Sequence, residues 1–118
     1  MKNKPFGDRL GFALSGIRQA WRRERSFRTQ TCIGAIAAVA TIALRPGLLW
    51  GALVALSIAL VLSLELANSA IEYLIDHLHP EVAPEIKLAK DVVAGAVLVV
   101  CLGALCVGVL MVLAVLIR

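Results

Sequence analysis

Charged residues are absent from two long stretches of this 118-residue chain, residues 48–64 and 92–117. Hydrophobic residues make up 60% of the chain, whereas a soluble domain contains roughly 45–50% apolar residues. Uncharged apolar stretches of this length are typical of helices that cross a lipid bilayer. The composition therefore argues against a soluble protein. It predicts a single-domain, all-α membrane protein, a helical bundle whose backbone polar groups are satisfied internally.

The sequence also lacks the motifs that bind nucleotides or activate nucleophiles in soluble enzymes. It contains no Walker-type glycine loop, no GxGxxG and no nucleophile elbow. Its three cysteines, Cys32, Cys101 and Cys106, show no metal-ligand spacing, and we interpret them as small packing residues. These absences exclude a soluble-kinase apparatus and a cysteine-based metal centre.

Basic residues are concentrated at the amino-terminal end, where eight of the 12 Lys and Arg residues lie within the first 28 positions. Basic residues beside an apolar segment mark the cytoplasmic side of a membrane and attract anionic lipid head groups. Nucleic-acid binding is the rival use of a basic arm, but it fits poorly with so apolar a chain. We therefore expect the amino terminus to lie in the cytoplasm.

Four helical segments are predicted. In residues 5–28 the apolar positions fall on one stripe, which predicts an amphipathic helix in the membrane interface with Phe6 and Trp21 as anchors. Three transmembrane helices are predicted at residues 29–44, 48–78 and 85–117. The first of these spans is short and rich in Ala and Gly, which favours packing with partner helices and hence an oligomer.

An acidic stripe follows the second apolar run: Glu65, Asn68, Glu72 and Asp76 share one helix face. Carboxylates at membrane depth are costly, so they indicate function. Two carboxylates and phosphate oxygens suffice to hold Mg²⁺, and a carboxylate at the boundary between lipid and water suits a general base acting on an alcohol.

Simpler interpretations exist for several of these positions. A helix that emerges into water acquires a solvated polar face, which accounts equally well for Glu72 and Asp76. Lys90 and Asp91 are explained as charged side chains at the start of a membrane helix that extend to the water beside it. Glu24, within RRERSFR, is explained as the neutralising partner of its arginine neighbours.

ELANSAIEYLID at 65–76, followed by KLAKDVVAGAVL at 87–98, resembles the signature of the prokaryotic diacylglycerol kinase family. AWRRERSFR at 20–28 resembles the first cytoplasmic motif of that family, an acid followed three residues later by Phe. The resemblance implies a homotrimer in the bacterial inner membrane, with cytoplasmic active sites shared between subunits. Its implied reaction is ATP- and Mg²⁺-dependent phosphorylation of diacylglycerol to phosphatidic acid.

The resemblance also implies residue roles. Glu65 is expected to be the general base, with Asn68 orienting either Glu65 or the phosphoryl group. The expected magnesium ligands are Glu24 and Glu72. The residues expected to bind ATP, through magnesium or directly, are Glu24, Glu72, Glu81, Val82, Ala83, Lys90 and Asp91. Those expected to border the lipid entrance are Arg18, Trp21, Phe27 and Arg28, with the lipid hydroxyl meeting Glu65.

Three departures from the enterobacterial members leave the identity of the lipid substrate open, and one is that the basic residue near Asp8 is displaced to Arg9. Gln30 and Phe12 stand where those enzymes have an acid and a tyrosine. The stretch KLAKDVVAGAV looks as close to the undecaprenol kinases of Gram-positive bacteria as to the enteric enzymes. An undecaprenol kinase with the same site is therefore the first alternative. A non-enzymatic membrane scaffold, whose interfacial charges only set topology, is the second.

Overall fold

The computed structural model describes residues 3–81 and 83–118; Val82, which was expected to contact ATP, lies outside these residues. The described residues form four helices: α1 (Phe6–Arg23), α2 (Arg25–Leu44), α3 (Leu48–Leu78) and α4 (Pro84–Ile117). By length and composition, α2, α3 and α4 can each cross a membrane. The predicted all-α architecture, with one amino-terminal helix and three long apolar helices, is confirmed.

The helix is interrupted at Glu24, which has an extended backbone (φ −110°, ψ 107°) and forms the break between α1 and α2. The prediction of one helix over residues 5–28 is therefore wrong at its end. Arg28 makes the break favourable, because its guanidinium donates hydrogen bonds to the carbonyl oxygens of Trp21 (2.7 Å) and Arg22 (3.2 Å) at the end of α1. Such carbonyls lack partners inside their own helix. The periodicity of the sequence does not reveal this contact, because the side chain of Arg28 on α2 caps the end of a different helix.

The break also lengthens the first apolar helix. α2 contains 20 residues, about 30 Å at the α-helical rise, which matches the hydrocarbon thickness of a bilayer. Residues 25–28 thus belong to α2 and not to the amphipathic helix, whereas the uncharged part of α2 is still residues 29–44.

A tight turn joins α2 to α3. Arg45 has left-handed backbone angles (φ 51°) and Gly47 has φ 108°, a region open to glycine at little cost. Arg118, at the end of α4, donates hydrogen bonds to the carbonyl oxygens of Leu44 and Arg45. The carboxyl-terminal ends of α2 and α4 are therefore tied together on one side of the bundle.

α3 is the central helix, packing against α4 along much of its length and against α2 on another side. α2 and α3 approach closely at Gly34, where a Cβ atom would lie 3.1 Å from Cγ2 of Ile58. The buried apolar residues are few: Ala20, Phe27, Val54, Val61 and Met111. Most large apolar side chains face outwards, as expected where lipid or partner helices replace water.

α3 is longer than a bilayer needs. Its 31 residues give about 46 Å of helix, against a hydrocarbon thickness of about 30 Å. The apolar run 48–64 accounts for the membrane-spanning part. Residues 65–78, called the α3 extension below, continue beyond it, beside the start of α2 and the start of α4.

Candidate functional site

Glu65 begins the α3 extension and is the most deeply buried acid described, with 3% of its surface exposed. Its Oε2 atom accepts a hydrogen bond of 2.9 Å from the hydroxyl of Ser26 in the first turn of α2. The hydroxyl of Ser69 donates to the Glu65 backbone carbonyl at 3.0 Å. The carboxylate is thus held where the apolar run ends. Ser26 was given no role by the sequence reasoning, because nothing in the sequence places it beside α3.

Asn68 and Glu72 lie on the next turns of the same face. The Asn68 amide is 3.5 Å from Oε1 of Glu72, at the outer limit for a hydrogen bond. The other polar atom of Asn68, Oδ1, is buried and has no hydrogen-bond partner among residues 3–81 and 83–118. Asn68 therefore turns its amide towards Glu72, and its carbonyl oxygen stays available for a donor or a cation.

Tyr73 links the α3 extension to the Glu24 break. Burial is the first cause that raises the pKa of Tyr73, and the nearby carboxylates of Glu24 and Glu72 raise it further. The Arg23 guanidinium lies over the ring, 5.5 Å from its centroid. The Tyr73 hydroxyl is buried, without a hydrogen-bond partner in the described part of the chain. Glu24, at the break between α1 and α2, and Glu72, on the α3 extension, thus each lie near a tyrosine that sequence reasoning left without a role.

Lys90 and Asp91 are engaged in ion pairs. Lys90 Nζ lies 2.7 Å from Oδ1 of Asp76, joining α4 to the α3 extension, and Lys87 lies 2.7 Å from Asp91 one turn along α4. The hydrogen bond to Asp76 is the main cause that raises the pKa of Lys90. These exposed pairs contribute little to stability, so phosphate oxygens can replace them. Asp91 points to Lys87, and the structure gives it no contact with the acidic stripe.

The α3–α4 loop holds the remaining residues expected to contact ATP. Glu81 is exposed, and Ala83 is half-buried immediately before the start of α4. The loop therefore lies at the same end of the bundle as the Lys90–Asp76 pair.

The four residues expected at the lipid entrance divide into two groups. Trp21 and Arg28 line a shallow groove of about 530 Å³ between the end of α1 and the start of α2. Phe27 is 5% exposed, and neither it nor Arg18 lines this groove. The Phe27 ring packs inside the bundle, and its place at the lipid entrance stays a prediction.

An apolar cavity of about 610 Å³ lies between α2, α3 and α4. It begins near Val61, one turn before Glu65, and continues towards Leu44 at the end of α2. The Gln30 amide donates to Cys101 Sγ (3.3 Å) towards the Val61 end of the cavity, and Thr41 donates to Met111 Sδ (3.6 Å) further along. The cavity therefore runs from the depth of Glu65 into the apolar part of the bundle.

Within the described ranges, no group of three or more His, Cys, Asp or Glu side chains is arranged to hold a metal ion. A cation at this site needs oxygen ligands from a bound phosphate in addition to Glu24 and Glu72. The available donors are carboxylate oxygens and the unpartnered Asn68 Oδ1. Hard oxygen donors of this kind, completed by phosphate oxygens, fit Mg²⁺.

The fold and the site together describe a helical multi-pass membrane protein with a polar site at one end of its apolar bundle. Residues 11–112 match the family model described as prokaryotic diacylglycerol kinase. A diacylglycerol kinase from Synechocystis sp. is 36% identical over 98 residues, which cover 82% of this chain and 56% of that protein. The chain belongs to the prokaryotic diacylglycerol kinase family, and the resemblance of its motifs to that family is confirmed.

Proposed function

We propose that this protein is an ATP- and Mg²⁺-dependent lipid kinase that converts diacylglycerol to phosphatidic acid. The observation that supports this most directly is the buried Glu65 carboxylate, which follows Val61 of the apolar cavity by one turn and precedes the polar residues Asn68 and Glu72 on the same helix. Family membership and the name of the Synechocystis relative give independent support.

The position of Glu65 suits two substrates of opposite polarity. A lipid alcohol reaches the site sideways through the bilayer, with its hydroxyl at the interface, whereas ATP arrives from water. Glu65 follows the apolar run 48–64 directly, so its carboxylate lies at the depth where both meet. We place this end of the bundle in the cytoplasm, because the basic residues of α1 and the first turn of α2 lie there.

In the proposed reaction, Glu65 accepts the proton of the lipid hydroxyl as the alcohol oxygen bonds to the γ-phosphorus of ATP. The bond between that phosphorus and the β–γ bridging oxygen breaks, and ADP leaves. Phosphoryl transfer depends mainly on positioning and on neutralising the developing charge. Magnesium held by Glu24, Glu72 and phosphate oxygens would supply part of that neutralisation.

The nucleotide is proposed to lie beside the start of α4. There Lys90 exchanges Asp76 for phosphate oxygens, while Asp91 and the loop residues Glu81–Ala83 seat the rest of ATP. Asn68, whose Oδ1 is buried and unpartnered among residues 3–81 and 83–118, is proposed to orient Glu65 or the phosphoryl group. Lys90, Glu81 and Ala83 lie at the end of the bundle that holds the α3–α4 loop.

The lipid is proposed to enter beside α1 and the start of α2, past Trp21 and Arg28, which line the shallow groove there. One hydrocarbon tail then occupies the apolar cavity, which is lined by Val61, one turn before Glu65. A tail in that place leaves the hydroxyl of the lipid at the depth of the carboxylate.

We propose a homotrimer with shared sites, by resemblance to the family. A single chain already brings Ser26 to Glu65, and Glu24 to the surroundings of Tyr73. A neighbouring subunit would therefore add groups to a partly formed site. Mixing Glu24→Gln chains with Glu65→Gln chains tests this: restored activity supports shared sites, and no rescue argues that each site lies within one chain.

The substrate is tested by giving the purified protein labelled ATP with either diacylglycerol or undecaprenol. Faster labelling of diacylglycerol supports the proposal, whereas much faster labelling of the isoprenoid alcohol identifies an undecaprenol kinase. No labelling of either lipid, in a protein that assembles normally, favours the non-enzymatic scaffold.

A further inference from the structure

Ser26 is the residue through which α2 contacts the Glu65 carboxylate. Its hydroxyl donates a hydrogen bond of 2.9 Å to Glu65 Oε2, across 39 positions of sequence. We propose that Ser26 is a positioning residue for lipid phosphorylation: it fixes one oxygen of Glu65 and leaves Oε1 to face the lipid hydroxyl. This inference rests on the proposed function, because it requires Glu65 to act as the base.

The surroundings of Glu65 make this hydrogen bond important. The residue is 3% exposed, and burying a carboxylate is costly unless it is paired or hydrogen-bonded. The ion pairs found in residues 3–81 and 83–118 join Lys87 to Asp91 and Lys90 to Asp76, so no cation is paired with Glu65. Within those same residues, Ser26 is the side chain that donates to this carboxylate. A hydrogen bond to a charged acceptor is among the stronger kinds in proteins.

The break at Glu24 determines where Ser26 points. α2 starts at Arg25, immediately after the break, which places Ser26 in its first turn. The next two residues fix the rotation of that turn: Phe27 is buried in the bundle, and Arg28 is hydrogen-bonded to the end of α1. A single continuous helix through residue 28 would lack this fixed first turn.

The consequence for the reaction follows from the geometry of a carboxylate. An unrestrained Glu side chain rotates about its last bond, so both oxygens sample many directions. With Oε2 held by Ser26, the direction of Oε1 is determined. During the transfer Oε1 takes the lipid proton, while Ser26 keeps its own proton and continues to donate to Oε2. Small displacements of a reacting group lower the rate strongly, so loss of Ser26 is expected to lower kcat.

The test uses the full chain, purified in detergent with diacylglycerol and MgATP, and compares Ser26→Ala, Ser26→Val and Ser26→Thr. Val and Thr have the same shape and differ in the hydroxyl. Removing the hydrogen bond is expected to lower kcat about tenfold in the Ala and Val variants, with KM for both substrates unchanged within about twofold. Thr is expected to retain most of the turnover. Ser63→Ala, which removes an exposed hydroxyl of α3, is the matched control and should behave as wild type.

Several outcomes overturn the proposal. Wild-type kcat in Ser26→Ala contradicts it, and so does an equal loss of kcat in the Val and Thr variants. A higher KM with unchanged kcat also contradicts the proposal, because it indicates a role in substrate binding. The double variant of Ser26→Ala with Glu65→Gln should be no slower than Glu65→Gln alone, since the acceptor of the hydrogen bond has already been changed; a further loss contradicts a role through Glu65.

The same variants separate this inference from the proposed function. If Glu65→Gln is inactive and Ser26→Ala has normal turnover, the proposed role of Ser26 is wrong, whereas the proposed role of Glu65 as the base still stands. If Glu65→Gln keeps its turnover, the proposed base is itself wrong. Melting temperatures recorded for each variant show whether a change in kcat follows a change in folding.

Discussion

Lys90 Nζ and Asp76 Oδ1 are 2.7 Å apart, and their ion pair joins the start of α4 to the α3 extension. The lysine is thereby held at the water-facing end of the bundle, near the α3–α4 loop. Its side chain is 35% exposed, so an incoming phosphate can reach it. In the proposed mechanism, the pair holds the lysine in place until the nucleotide binds.

Lys90→Met is predicted to raise the KM for ATP about tenfold or more, because a charged hydrogen bond to phosphate is lost. KM for the lipid should stay unchanged. Lys4→Met is the matched control, since Lys4 is exposed and lies before the start of α1. Steady-state kinetics with ATP as the varied substrate measure the effect. Equal KM values for ATP in the wild type and Lys90→Met would contradict the proposal that Lys90 binds the nucleotide.

Glu72→Gln is predicted to raise the Mg²⁺ concentration needed for half-maximal activity at least about tenfold, because one of few charged protein ligands is lost. The fold of the variant should persist, since Glu72 is half-buried and its described contact is a long one to Asn68. Titration of activity with Mg²⁺ at saturating ATP measures this. Glu85→Gln, an exposed acid in the first turn of α4, serves as control. An unchanged Mg²⁺ requirement in Glu72→Gln argues against the metal role.

Gly108→Leu is predicted to lower turnover of long-chain diacylglycerol severalfold while sparing a short-chain substrate, because the new side chain fills the apolar cavity that Gly108 lines. Gly103→Leu is the matched control: Gly103 is exposed on the same helix, and a Cβ atom at either position meets nothing within 4 Å. A competition assay with lipids of two chain lengths separates the variants. Identical chain preferences in both argue against a tail in this cavity.

Arg118→Gln is predicted to destabilise the fold by about 1 kcal/mol, because it removes hydrogen bonds from a cation to two backbone carbonyls. Activity at low temperature should be preserved, since these contacts lie at the end of the bundle remote from Glu65. Thermal unfolding in detergent measures the loss. A large fall in kcat without a change in Tm would contradict the position assigned to Arg118.

The fold was largely predictable because its main signals are local. The uncharged run 48–64 is visible in the sequence, and so are Pro46 and Gly47, residue types typical of the turn that precedes it. The break at Glu24 was missed because no proline or glycine marks it. It depends on Arg28 reaching back to Trp21, a tertiary contact that helical periodicity does not encode.

The site was predictable along α3 and less so between helices. Glu65, Asn68 and Glu72 share a face by spacing alone, but the partner of Glu65 comes from α2. Ser26 lies in a motif that was noticed for its charges, and its hydroxyl gains importance only when α2 packs against α3. Tyr73 likewise gains its place through packing near Glu24.

The most direct measurement is the turnover number of Glu65→Gln in the purified, correctly assembled protein, with ATP affinity measured alongside. The proposed base predicts a fall in kcat of about a hundredfold or more, the range expected for general-base catalysis, with ATP binding largely retained. Wild-type turnover in Glu65→Gln would contradict the assignment of this buried carboxylate and, with it, the proposed mechanism.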